Sequence, residues 1–466
     1  MSKECPDHGL FEDIYWSDVD MYLKAEKYSY DGKGVQNYQT IESNCPFDCG
    51  LCDVHLSSTC LGNIDVTNRC NLSCDFCFAN AKVQERVYEP SFEQIEEMLA
   101  ALRGERPVPT PAVQFSGGEP TLRDDLPDII KLAKKMGFLQ VQVATNGVRL
   151  GEEPRYAQTL KSAGLSTVYL HFDGASRNTE PLIEIRKKAI EHCRNASQGV
   201  TLVPTIINGF NDHEIGDTIR LAVENIDIVR GVNFQPIAFT GAASVGGERR
   251  QRFTIPDLID RIEQQTNGAI KKSDFYPVPC VVSLSKLVEE YTAEPKIEFS
   301  AHPHCGMATY VFVNGKDLVP INRFVDVDKF FKSVDDVIDI LKSGGLLGRS
   351  KAMMKGVKVI NDCIHESIQP KNVHFKEMLK QILKKQNYKS LGEFHWNALF
   401  IGAMHFQDSY NYDIERVKRC VIHYATPDPE RRIIPFCAYN SGPNFREEIE
   451  RKYSIPLEEW ESQHRK

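Results

Sequence analysis

Two cysteine triplets of identical C-x3-C-x2-C spacing, Cys45, Cys49, Cys52 and Cys70, Cys74, Cys77, dominate this chain. With Cys5 and Cys60 they place eight of the fourteen cysteines within the first 77 residues. No stretch approaches the roughly 18 apolar residues of a membrane span. The N-terminus also lacks the apolar core of a signal peptide, so a reducing, cytoplasmic setting is expected. Thiols clustered this tightly there bind metal more often than they pair as disulfides. Burial as small hydrophobic side chains is the competing reading. It suits Cys193, which closes the helical pattern of 181–192, and it does not suit the N-terminal group. The 56 basic and 64 acidic residues leave a formal net charge of −8, which is no footprint for nucleic acid.

Short apolar runs at 61–67, 112–116, 139–145, 167–173, 200–207 and 231–237 alternate with amphipathic patterns at 91–102, 126–136, 156–163, 182–193 and 214–225. Alternation of this kind predicts an α/β fold with a parallel sheet covered by helices, and six units fit a partial (β/α)6 barrel. Chemistry in such barrels gathers in the loops after the strands. The segments that follow them here contain Cys70, Gly117, Asn146 and Asp173. The expected organisation is a cysteine-rich region at 1–59, the barrel at 60–240, and a less regular segment at 241–466. Neither a repeat nor a low-complexity tract interrupts it.

Cys70, Cys74 and Cys77 directly follow the first predicted strand. Three thiolates this close can hold one iron–sulfur cube and leave its fourth iron without a protein ligand. Here the chain resembles the radical S-adenosylmethionine (SAM) superfamily over roughly residues 60 to 240. The triplet with Phe78 behind it resembles the signature, and Ser116, Gly117, Gly118 and Glu119 resemble the segment that meets the SAM amino group. The turns at Asn146 and Asp173 resemble further pocket segments. The resemblance implies a [4Fe-4S] cluster on Cys70, Cys74 and Cys77 that binds SAM and yields a 5′-deoxyadenosyl radical. Glycines suit such a pocket because missing side chains let backbone approach a ligand. No side chain is assigned an acid–base role.

The other triplet lacks a preceding strand. It reads as an auxiliary cluster with Cys60 as fourth ligand, with His55 in place of Cys60, or as a zinc knuckle. Cys280, Cys305, Cys420 and Cys437 lie in loop-like contexts and could close a further auxiliary cluster; Cys363 could replace any of them, and buried free thiols compete. Further stretches, from Cys45-Pro through Asp65-Val-Thr, Cys77-Phe-Ala-Asn-Ala81, Cys305-Gly306 and Arg323-Phe-Val to Arg419-Cys420, resemble the archaeal tetraether lipid synthase group, earlier proposed to methylate a pterin precursor. That group's longer members carry a C-P-x-C unit ahead of this point; Cys5-Pro-Asp-His8-Gly9 alone supplies one thiolate and one histidine, too few for a four-sulfur iron site.

This resemblance implies joining of the terminal carbons of isoprenoid lipid chains, with one or two auxiliary [4Fe-4S] clusters. It also implies a ferredoxin- or flavodoxin-like electron donor and transient contact with a membrane surface. Radical methylation of a pterin precursor is the alternative. A non-catalytic iron–sulfur carrier or scaffold is the alternative from another class. An apolar groove for lipid could use Leu346, Leu347, Met353, Met354 and Trp396 to Met404, for which ordinary core is the competing reading.

Overall fold

The computed structural model describes residues 1–37, 39–40, 42–79, 85–245, 252–314, 317–370, 373–385 and 398–464. Six parallel strands follow one another across the central sheet in chain order. They are β1 Leu61–Thr67, β2 Ala112–Gly117, β3 Gln140–Thr145, β4 Thr167–His171, β5 Val200–Val203 and β6 Val229–Pro236. The principal connecting helices are α1 Phe92–Gly104, α2 Leu126–Lys135, α3 Tyr156–Ala163, α4 Ile183–Asn195 and α5 Ile215–Glu224. These are the β/α units of the partial barrel. Helix α1 starts on a reciprocal cap, the Ser91 hydroxyl accepting from the Gln94 amide while the Ser91 amide donates to the Gln94 side chain. Such caps contribute about 1 kcal/mol.

Strand alternation divides the sheet into two faces. Ile64, Val66, Val113, Phe115, Val141 and Val143 pack in the same core as Ile95, Leu99 and Leu102 of α1 and Ile129 and Ile130 of α2. On the other face, the Gln114 amide donates to Asn63 Oδ1 at 3.1 Å and the Gln142 amide to Gln114 Oε1 at 3.0 Å. This cross-strand ladder supplies partners that buried amides require.

The apolar run expected as one strand at 200–207 is divided at Pro204, which has no N–H for the ladder. Pairing resumes at Thr205–Ile206, against Gln235 and Pro236. The larger difference lies beyond residue 240. Strand β7 spans Gly306–Asn314, β8 Ala398–Met404, β9 Ile422–Ala425 and β10 Ile433–Pro435. Strand β8 runs parallel to β6, with Gly231 opposite Phe400, and β9 runs parallel to β1, with Leu61 opposite Ile422. Strands β7 and β10 extend these flanks antiparallel. The C-terminal segment thus builds both sides of the barrel sheet.

That placement corrects the expected groove. Leu399, Ile401 and Ala403 are buried core residues of β8, while Leu347 and Met354 are exposed. Trp396 and the Leu346 side chain lie outside the described residues, as do Asn80, Ala81 and the end of the Gly-rich loop, Gly246 and Gly247. Among the described residues no helix is long and apolar enough to cross a membrane.

Candidate active site and metal centres

Cys70, Cys74 and Cys77 sit on the loop that leaves β1, each partly exposed. Burial pushes the Cys74 thiol up to about 11, and Cys77, Asp173 and Cys70 add to the shift, so these groups share one electrostatic neighbourhood. Burial also raises Cys70, against hydrogen bonds from the Leu72 backbone and the Asn146 side chain. The loop after β6 closes over this segment: the Ala242 amide donates to the Cys77 carbonyl at 3.0 Å. Gly241 has φ +59, and a Cβ there would lie 2.4 Å from the carbonyl oxygens of both Cys77 and Phe78. Glycine is required at that crossing.

The glycines of the next loop make a close backbone crossing with β1. A Cβ on Gly117 would stand 2.1 Å from the Thr67 carbonyl oxygen, and one on Gly118 would stand 2.2 Å from that of Arg69. The Gly118 and Glu119 amides donate to those two carbonyls, each at 2.7 Å. Both glycines therefore admit the backbone just ahead of Cys70.

Glu119 is buried, and its carboxylate accepts from the Thr121 amide and hydroxyl, the Thr145 hydroxyl at 2.7 Å and the Asn146 amide at 2.7 Å. Burial raises its pKa against these bonds. Asn146 donates through Nδ2 to Asn71 Oδ1 at 2.7 Å. Ser116 donates to Asp65 Oδ1 at 2.8 Å. Asp173 accepts from the Thr205 amide at 2.9 Å and pairs with His171 Nε2 at 2.5 Å. The rim after β1 to β5 is thereby knit into one frame.

Two arginines that sequence reasoning missed complete this frame. Arg186 of α4 is buried against Glu180 and donates to the Asn146 carbonyl. Burial pulls it down to about 10, opposed by Asp173, Cys74 and Glu119. Arg446, from helix Phe445–Tyr453, reaches Asp65 at 2.5 Å beneath Ser116. Their only sequence signal is a charged residue within an amphipathic pattern.

Cys45, Cys49, Cys52 and His55 line a second pocket, beside Val417 and Lys418. A hydrogen bond with Cys49 lowers Cys45 to about 7. Cys49 in turn feels Cys45, Cys52 and Cys420. Cys420 is raised by burial, with Cys437 and Cys305 adding, which marks a neighbouring group of three thiols. Arg416 is buried beside it and donates from Nε to Cys305 Sγ at 3.3 Å. The two cysteine-rich regions, expected as separate, therefore meet: the Tyr412 hydroxyl is raised by burial and by Cys437, Cys49, Cys45 and Cys420 together.

Several expected ligands are not brought to these places. Cys60 is buried with Ala301 and Val421, and its thiol donates to the Glu298 carbonyl at 3.3 Å. Cys280 lies by Lys24 and Asp328 rather than with Cys305, Cys420 and Cys437. Cys363 packs with Val337, Ala352 and Val359, while Cys193 lies in the main core, as expected of it. Cys5 and His8 face one another at 3.2 Å on an exposed hairpin. Among the described residues no three His, Cys, Asp or Glu side chains are grouped to hold a single metal ion. Two sets of three thiols, each set on one loop, supply the sulfur donors that iron–sulfur clusters take.

The family model of the radical SAM superfamily matches residues 64–222, the stretch that carries β1 to α5. This chain belongs to that superfamily, whose enzymes use a [4Fe-4S] cluster and SAM. It is 49% identical to a protein of Methanocaldococcus jannaschii named 7,8-dihydro-6-hydroxymethylpterin dimethyltransferase, over all of this chain and 92% of that one. It is 32% identical to the GTP 3′,8-cyclase of Peptoclostridium acidaminophilum over 37% of this chain and 54% of that one. Among solved structures, methylornithine synthase overlays with a TM-score of 0.36 at 15% identity, covering 46% of this chain and 64% of that one, which is too loose to argue from.

Proposed function

We propose that this radical SAM enzyme forms a carbon–carbon bond at an unactivated carbon, with Cys70, Cys74 and Cys77 holding the cluster that binds SAM. The observation that carries this reading is the frame itself: three partly exposed thiols at the C-terminal end of β1, clasped by the Gly241 loop and braced through Asn146. The residues fit a cluster with one iron left open. Bound there, cluster and SAM supply a 5′-deoxyadenosyl radical that takes hydrogen from carbon.

The chain's own part is to hold and enclose. Glu119 fixes the turn at Thr145 and Asn146, and the Gly117–Gly118 backbone fixes the approach to Cys70. Ser116 to Glu119, Asn146 and Asp173 are the residues that would surround SAM. Cys45, Cys49 and Cys52 would hold an auxiliary cluster, and a one-electron donor of the ferredoxin or flavodoxin kind would reduce the site.

A reduced pterin is the better supported substrate, methylated at carbon, because the relative matching the full length of this chain bears that name. A second reading, the joining of isoprenoid chain ends at a membrane surface, is favoured by one feature. Ile207, Ile237 and Ala243 pack with Phe76 and Phe239 beside the Cys70 loop, an apolar patch where a hydrocarbon could lie.

The test is anaerobic turnover. Reduced protein with SAM should release 5′-deoxyadenosine, and with 7,8-dihydro-6-hydroxymethylpterin it should give a methylated pterin by mass. Unchanged pterin, together with joined lipid chains when the protein is co-expressed in a host making archaeol lipids, transfers the assignment to the second reading. Absence of 5′-deoxyadenosine from reconstituted protein overturns the Cys70 site.

A further inference from the structure

The pocket that holds Cys45, Cys49 and Cys52 has a fourth side chain whose protonation is dictated by its surroundings. His55 Nε2 stands 3.0 Å from the Cys420 carbonyl oxygen and 3.0 Å from His423 Nε2. A carbonyl oxygen can only accept, so the proton of His55 sits on Nε2. The network beyond it runs in the same sense. His423 Nδ1 faces the Thr59 hydroxyl at 2.9 Å, and that hydroxyl donates to Glu105 Oε1 at 2.6 Å. The Thr59 hydroxyl spends its one proton on Glu105, so it accepts from His423 Nδ1, and His423 Nε2 is left as an acceptor facing His55.

Both constraints leave Nδ1 of His55 bare. It forms no hydrogen bond among the described residues, and the ring lines the same pocket as the three thiols. The other candidates for a fourth ligand are engaged elsewhere. The Cys60 thiol faces the Glu298 carbonyl, while Cys420, although it also neighbours Cys49, donates to the Ile422 carbonyl at 3.0 Å and lies with Cys437 and Cys305.

We propose that Nδ1 of His55 is the fourth protein ligand of an iron–sulfur cluster held by Cys45, Cys49 and Cys52, oriented by the Cys420 carbonyl and the His423–Thr59–Glu105 chain. Ligating histidines are commonly fixed in this way, the second ring nitrogen donating to a carbonyl or toward a carboxylate. A neutral imidazole in place of a thiolate makes the cluster less negative and raises its reduction potential, as histidine ligation does in other iron–sulfur centres. The inference rests on the auxiliary-cluster reading of this triplet.

The test removes the signal of the Cys70 triplet by using the Cys70→Ala/Cys74→Ala/Cys77→Ala protein, purified anaerobically and reduced. Pulsed electron paramagnetic resonance should detect nitrogen directly bound to the remaining cluster, and His55→Ala should abolish that coupling. His55→Cys should keep the iron, lose the nitrogen coupling and titrate at a lower midpoint potential, which guards against a misfolded alanine variant. A cluster without bound nitrogen, or a coupling untouched in His55→Cys, overturns the assignment. So does loss of this cluster in Cys420→Ser while His55→Ala retains its iron. Removal of the cluster's iron by Cys45→Ala/Cys49→Ala/Cys52→Ala in the same background confirms the triplet as its holder. If that iron remains, or if the background protein carries none, the auxiliary-cluster reading itself fails.

Discussion

The two triplets share a spacing and differ in everything around it. Cys70, Cys74 and Cys77 hang from the end of a buried strand, where three neighbouring loops present Glu119, Asn146 and Asp173 on one rim. Cys45, Cys49 and Cys52 have no strand beneath them and are packed by chain from the far end of the sequence, Val417, Lys418 and Cys420 among it. The first setting leaves all three thiols partly exposed. The second surrounds its thiols with protein donors, a histidine included. Identical cysteine spacing thus sits in two different surroundings.

The largest expected contrast is an exchange of effects between the triplets. Cys70→Ala/Cys74→Ala/Cys77→Ala should reduce 5′-deoxyadenosine release to the level without enzyme. Cys45→Ala/Cys49→Ala/Cys52→Ala should lose about four irons per chain, the content of one cubane, yet still cleave SAM without forming product. If the second variant is also silent in SAM cleavage, the two sites are not separable.

Next in size is the tie between helix Phe445–Tyr453 and β1. Arg446→Met leaves Asp65 charged and buried without its partner, a change that costs about 3–5 kcal/mol. Urea unfolding should record that loss. Gly118→Ala sets a Cβ against the Arg69 carbonyl, and overpacking of this kind costs about 1–3 kcal/mol. Its iron loss should fall on the first site, and equal loss from both would erase the distinction between them.

The smallest effect concerns pH. Burial raises Glu105 to about 7, so the folded state holds a proton that the unfolded chain has already released. Its stabilisation is complete below the ordinary glutamate range and is lost as pH rises through about 7. Between pH 5.5 and 8.5 the wild type should lose about 2 kcal/mol more than Glu105→Gln in urea unfolding. Identical pH profiles would show that Glu105 is already ionised in the fold.

The barrel was legible because its signals are local. Apolar runs of strand length and amphipathic patterns of helix length located β1 to β6 and α1 to α5 to within a few residues. The flanking strands β8 and β9 were not legible, since their partners β6 and β1 lie far away in sequence and no local pattern records such pairing. The same holds within the site. Cysteine triplets announce themselves, whereas the role of Gly117 and Gly118 depends on the backbone of Thr67 and Arg69. Arg186, Arg416 and Arg446 read as surface charges until the groups they pair with inside the protein are seen. Long gaps between Cys280, Cys305, Cys420 and Cys437 carried no information about which would meet.

The pairing of β1 with β9 has a consequence for biosynthesis. A ribosome that has just released residue 240 has made every barrel strand, yet both margins of that nascent sheet still show bare amides and carbonyls, a template for promiscuous association. Only when Ile422 to Ala425 emerge can the first strand be covered. Metallation of the Cys45 triplet, which Val417 and Lys418 pack, should therefore wait for the far end of the chain, and stalled intermediates should be found with chaperones and without iron at that site.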